Sequence, residues 1–249
     1  VDDATATTAL YLLISTMRQY SSSEQSLRAR KWKPAGINSI SHDLTGRTLA
    51  ILGLGGIGRR LAELVQPFPM RVIYHSRRPV ADAPSYCEYF ANVEEMLAQA
   101  DVLSVHVPLR KETEGLVGEK WIRALKPGAT IINTARGKVI DEEALIRALK
   151  DGHVSTPLIQ IRGIRFNDLF NTTAYMQLAA AGLDVFPNEP EVNPQLLEFP
   201  QVTLLPHMGT ENQDTQKKME VRTLQNLRDF LLTGMGKDLV TEYKVKSKL

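Results

Sequence analysis

The chain predicts a doubly wound α/β fold, a parallel sheet with helices on both faces. Three observations predict it. Short apolar segments alternate along the chain with segments of helical spacing. A glycine-rich turn, GLGGIG at 53–58, joins the first strand-like segment to the helix that follows it. The last two strand-like segments, AGLDVF and VTLLPH, are of the type buried on both faces.

Taken in order, residues 48–53 (TLAILG) form a short apolar strand, and 57–65 show helical spacing. Residues 71–76 (RVIYHS) read as a second strand. Residues 101–108 (DVLSVHVP) and 130–135 (TIINTA) read as two more, separated by the helix-like EKWIRAL. Asp141 opens a further helix, DEEALIRALKDG, with carboxylates in the first turn where the helix dipole favours them. AGLDVF and VTLLPH are buried-type strands, and 214–232 is a long closing helix. No repeat or low-complexity tract interrupts this order.

Composition bounds the function. With 249 residues, 43% hydrophobic and 23% charged, the chain has the make-up of a globular protein of one or two domains. A net charge of +2 gives no electrostatic case for nucleic acid or a membrane surface. No apolar run approaches the ~20 residues that span a bilayer, and no secretory signal opens the sequence. Cys87 is the single cysteine, which excludes a disulfide framework and cysteine-ligated zinc and agrees with a reducing compartment. No metal site is expected.

The glycine turn carries the first chemistry. Gly53, Gly55 and Gly58 fit GxGxxG between strand and helix. The first permits the tight turn, the second lets a diphosphate approach the backbone, and the third lets helix pack on strand. The phosphates then lie at the positive end of the helix, beside Gly56 and Ile57. Versions that bind NAD carry an acidic residue about 20 residues on, at the end of the second strand. Here that stretch reads Tyr74, His75, Ser76, Arg77, Arg78. Ser76 and the two arginines suit a 2′-phosphate, so NADP is the expected cofactor and NAD the alternative. A solvated arginine pair is the other reading of the same residues.

Downstream lie Arg136 in NTARGKVIDEEAL, Glu189 in AGLDVFPNEP and His207 in LLPHMGT. In this order, after such a turn, they resemble the nucleotide-binding half of the D-isomer-specific 2-hydroxyacid dehydrogenases. The fungal glyoxylate/hydroxypyruvate reductases are the most similar branch, and the stretch GTENQDTQKKME after His207 resembles them in particular. The resemblance runs from Val1 to about Leu239 and implies a Rossmann-type domain over 1–236 followed by a tail, 237–249. It implies reduction of a small 2-keto acid to the D-2-hydroxy acid. Arg136 would bind the substrate carboxylate, for which a permanent charge on a planar fork is needed. His207 would donate the proton, and Glu189 would orient the imidazole and favour its charged form. Asp184 matches the residue that contacts the nicotinamide carboxamide, and Thr113 in PLRKETEGL matches a cofactor-side hydroxyl. Pro108, Thr134, Ala135 and Gly209 complete the implied cofactor contacts. His42, His75, His106 and His153 lie outside these patterns and read as structural. Tyr-x-x-x-Lys, required by short-chain dehydrogenases, does not occur.

Two departures from the family pattern stand out. The chain begins at the helix ATATTALYLLISTMRQ, where relatives first carry most of a substrate lobe, so efficient turnover is in question. Residues 154–177, 24 in all, enlarge a connection that ordinarily takes about 2–6 residues. Val-Ser at the start and Gln at the end are what intron borders encode, so an intron translated in frame is one reading and an evolved lid the other. The C-terminal Ser247-Lys248-Leu249 is a peroxisomal address read by an import receptor, with a cytoplasmic location as the alternative. The resemblance also implies a homodimer formed through the nucleotide domains, partly by the helix at 4–19. An NADP-binding fragment without activity and a nucleotide-sensing corepressor are the competing functional readings.

Overall fold

The computed structural model describes residues 1–153 and 178–238. The insertion 154–177 and the terminal Ser247-Lys248-Leu249 lie outside the described residues. The first element is α1 (Asp2–Arg18), whose buried Ala6, Ala9, Leu12, Leu13 and Thr16 recur at three- and four-residue spacing and so share one face. The alanines let this helix lie close against its neighbours, and each sealed leucine contributes about 2 kcal/mol. That apolar face is covered by the chain's own sheet and helices. α2 (Tyr20–Arg28) and α3 (Ile37–Ile40) come next.

The sheet then builds through β1 (Thr48–Leu52), α4 (Gly56–Leu64), β2 (Arg71–His75) and β3 (Cys87–Tyr89). It continues through α5 (Val93–Leu97), β4 (Val102–Val105), α6 (Glu119–Ala124) and β5 (Ala129–Asn133). After a 3-10 turn at Gly137–Val139 come α7 (Glu142–His153), β6 (Leu178–Leu183), α8 (Pro194–Glu198) and β7 (Val202–Leu204). All pairings are parallel, in the order β3-β2-β1-β4-β5-β6-β7. This is the Rossmann-like arrangement the sequence predicts. One face packs Leu49, Ile51, Val72 and Ile132 with α1 and α4; the other packs Ala50, Ile73, Leu103 and Ile131 with α5, α6 and α7. Because both faces are covered, the strands are apolar without alternation.

Register sets the site. Leu52 pairs with both His75 and Val105, Val105 with Asn133, Asn133 with Leu183, and Leu183 with Leu204. The carboxyl ends of six strands are therefore level. The residues just beyond them emerge along one edge: Ser76, Gly53, His106, Thr134, Asp184 and, after two more residues, His207. The strand order reverses between β1 and β4, which opens a crevice at that edge.

The chain divides into two compact units, Asp2–Gly209 and the segment from Thr210 onward together with Val1. The second unit holds α9 (Gln213–Thr233), capped by the Asn212 side chain, which accepts from the Thr215 amide, and ended by Gly234 in the left-handed region.

Candidate active site

α4 begins at the glycine turn with Gly55 as an extended N-cap and no side-chain cap. Its first amides thus carry the positive end of the helix dipole. At Gly58 a Cβ would overlap the Gly53 carbonyl oxygen and stand 2.9 Å from the Ile51 side chain, so only glycine lets helix and strand close together here. Nothing lies within 4 Å of where a Gly55 side chain would project. The Asp2 carboxylate rests against Gly56, an anion at the end of α4 that favours anions. The open backbone at Gly55 and the uncapped amides at the start of α4 fit a dinucleotide diphosphate, which Gly55, Gly56 and Ile57 would hold in place of the Asp2 carboxylate.

Beyond β2 the Ser76 hydroxyl donates to the Arg78 carbonyl at 2.8 Å, folding a turn from which Arg77 and Arg78 stand exposed. His75 ends the strand, with Nδ1 2.9 Å from the Phe90 carbonyl oxygen. Beyond β4, the Thr113 hydroxyl accepts from the Arg110 amide at 2.7 Å and donates to the Pro108 carbonyl at 2.6 Å. It staples its own loop.

A cleft of about 340 Å³ is lined by Ile57 of α4, by His106 and Pro108 after β4, and by Thr134, Ala135 and Arg136 after β5. His106 Nε2 lies 2.8 Å from Ser104 Oγ. Its Nδ1 and the Thr134 hydroxyl oxygen are buried without a partner. Burial pushes the His106 pKa down to about 4, so the ring is neutral. Asn133, buried at the end of β5, donates to the Arg136 carbonyl at 3.1 Å and accepts from the Ala135 amide at 3.0 Å. It fixes the loop that presents Arg136, a role no sequence motif announces.

Gly137 brings that loop to its partner. A Cβ there would run into the Phe186 backbone, so glycine is needed for the contact between the Arg136 loop and the 186–189 turn. In that turn Glu189 Oε1 accepts from the Phe186 amide at 2.9 Å, and Oε2 lies 2.8 Å from His207 Nδ1. Burial raises the Glu189 pKa, but the His207 bond, the Phe186 amide and the charges of His207 and Arg136 together bring it below the usual value. Arg136 is exposed, with Nη1 donating to the Ala135 carbonyl at 2.6 Å. Arg136, Glu189 and His207 thus come from three separate segments to one place.

His207 has φ 57°, left-handed for a non-glycine residue. Its amide donates to the Asp184 carbonyl at 2.8 Å. The Asp184 carboxylate accepts from the Met208 amide at 2.6 Å and the Gly209 amide at 2.9 Å. Burial raises the Asp184 pKa against the pull of those two amides. Asp184 and Gly209, expected as cofactor contacts, therefore form the frame of the histidine turn. A second, apolar cleft of about 420 Å³ shares Glu189 and His207 with Phe186, Val192 and Leu197. With Nδ1 turned to a carboxylate, His207 has Nε2 left to exchange a proton, and Arg136 is a fixed positive charge that acts on the same Glu189.

Residues 10–159 match the D-isomer specific 2-hydroxyacid dehydrogenase family, NAD binding domain. Glyoxylate reductase 1 of Saccharomyces cerevisiae is 36% identical over 247 residues, covering 97% of this chain and 63% of the yeast protein. A crystal structure of a glyoxylate reductase from Paecilomyes thermophila superposes with a TM-score of 0.82 at 37% identity, over 97% of this chain and 66% of that one. The NADPH-dependent glyoxylate/hydroxypyruvate reductase of Sinorhizobium meliloti, in complex with NADP and malonate, superposes with a TM-score of 0.80 at 31% identity, over 97% and 68%. The chain spans just under two thirds of the length of curated relatives such as the yeast protein. The match over 10–159 and the superposition over 97% of the chain agree, and the chain belongs to the D-isomer-specific 2-hydroxyacid dehydrogenase family.

Proposed function

We propose that this chain is the nucleotide-binding part of an NADP-dependent reductase that converts a small 2-keto acid, glyoxylate or hydroxypyruvate, to the D-2-hydroxy acid. The observation that carries the reading is the 2.8 Å contact between His207 Nδ1 and Glu189, with Arg136 close enough for its charge to act on Glu189. Gly55, Gly56 and Ile57 hold the diphosphate. Ser76, Arg77 and Arg78 receive the 2′-phosphate, in the absence of a carboxylate at the end of β2, with NAD as the alternative ligand. When bound, the reduced nicotinamide supplies the hydride. Arg136 anchors the substrate carboxylate and draws electron density toward the keto oxygen. His207 Nε2 would give its proton to the keto oxygen as charge builds there, and the ring would be left neutral with Nδ1–H still donating to Glu189.

Relatives named as glyoxylate or glyoxylate/hydroxypyruvate reductases support the substrate, and the relative solved with NADP supports the cofactor. The chain pairs as a homodimer through the outer side of α1, where Tyr11 is 48% exposed beside the half-buried Leu10 and Ile14. Ser247-Lys248-Leu249 directs it to the peroxisome. The test is NADPH consumption on adding glyoxylate, compared with His207→Asn. Turnover in the parent chain and its loss in the variant, with NADPH binding kept, is the expected pair of results. Equal turnover in both removes His207 from the reaction.

A further inference from the structure

We propose that His75 reads the substituent on the 2′-oxygen of the adenosine ribose, and that its protonation shifts the chain's preference from NAD toward NADP. This rests on the nucleotide-binding reading above and deepens it.

His75 is the last residue of β2, paired with Leu52 at the end of β1. Its carbonyl accepts from the amide of Gly53, the first residue of the glycine turn, at 2.9 Å. In a dinucleotide fold this strand end is where a carboxylate takes the ribose hydroxyls. An imidazole stands there instead, and its two nitrogens have different fates. Nδ1 is 2.9 Å from the Phe90 carbonyl oxygen, which can only accept, so Nδ1 keeps its hydrogen in either charge state. Gain and loss of the proton are confined to Nε2. On a neutral ring, Nε2 is a lone pair that accepts from a ribose 2′-hydroxyl, as a carboxylate would. On a protonated ring, it is a charged donor, which a 2′-phosphate oxygen accepts more strongly than the neutral oxygen of a 2′-hydroxyl does. One side chain thus serves both cofactors, in opposite protonation states.

The surrounding elements leave that choice to the ligand. β1 and the glycine turn bring Leu52 to Gly55, without charge. β3 carries Glu88, bonded to Arg71, and Tyr89, whose hydroxyl donates to the Ser76 carbonyl at 3.4 Å. α4 carries Arg59, bonded to Asp82, and Arg60, bonded to Asp3 and Glu63. Arg77 and Arg78 follow His75 directly and stand exposed. They favour the phosphate at every pH, whereas His75 adds a share that depends on pH.

Calorimetric titration of the 249-residue chain with NADP and with NAD, at about pH 6 and about pH 8, tests this. His75→Asn is the reference, because its amide can still donate to the Phe90 carbonyl while nothing replaces Nε2. Relative to that variant, the NADP-to-NAD affinity ratio is expected to rise about tenfold from the higher to the lower pH, the difference between a charged and a neutral hydrogen bond. Buffers of different ionisation heat should show proton uptake with NADP. A phosphate deprotonated by the arginines would release protons, the opposite sign. His75→Asp should favour NAD at both pH values. An identical pH dependence in parent and His75→Asn overturns the role of His75 and leaves the nucleotide site standing. Failure of the parent chain to bind either dinucleotide overturns both.

Discussion

His207 sits in a conformation that costs roughly 1–2 kcal/mol for a residue with a side chain, and four hydrogen bonds hold it there. Asp184 takes its amide and, through the carboxylate, the next two amides; Glu189 takes Nδ1. Asparagine tolerates the left-handed region, so His207→Asn should keep the fold. Turnover measured as NADPH loss should fall by about 10²–10⁴-fold, the usual size of a lost proton donor. His106 makes a separate prediction about stability. A histidine in the unfolded chain titrates near about 6.5, and this one is pushed down to about 4 in the fold. Between those values the unfolded state binds the proton first, so stability falls as pH drops through that window, by about 3 kcal/mol in all. His106→Asn should flatten that slope in urea melts at about pH 7 and about pH 4.5. Arg136, Glu189 and His207 were legible in the sequence because their neighbours form recognisable motifs. His75, His106 and Asn133 were not, because each takes its role from a partner that only folding supplies or aligns: the Phe90 carbonyl, the Ser104 hydroxyl, and the Arg136 loop backbone.

Among the elements, the turn after β7 depends on β6 for its shape. Asp184→Asn replaces one acceptor oxygen with an amide that faces another N–H, so one of the two clamping bonds is lost. Stability should fall by about 1–3 kcal/mol, and turnover should fall further than cofactor affinity, as denaturant melts and steady-state kinetics would show. The glycine turn is equally exacting. Gly58→Ala places a methyl group on the Gly53 carbonyl, so strand and helix must separate. Calorimetry should show NADPH affinity reduced by at least about tenfold, since a displaced backbone loses a diphosphate contact worth on the order of 1.4 kcal/mol or more. β1, β2, β4 and β5 were legible as apolar runs because both their faces are covered. β3 has three residues with Cys87 alone buried, and α5 and α8 have five residues each, too short to show a period.

At the scale of the molecule, the level strand ends turn a list of separated motifs into one edge. The doubly wound class followed from alternation of strands and helices, but the order that places β1 beside β4 did not, because pairing leaves no local trace in a buried strand. That order sets Gly53 against His106 and Val107 and opens the crevice where the cofactor is proposed to lie. The chain covers 63% of the yeast relative, so whether this edge suffices for reaction is the central question. Calorimetric titration with NADPH, followed by glyoxylate in the same cell, addresses it directly. Saturable binding and then consumption of NADPH, absent in His207→Asn, is the expected result. Saturable binding with no consumption would contradict the reductase assignment, and no binding at all would contradict the nucleotide site on which it stands.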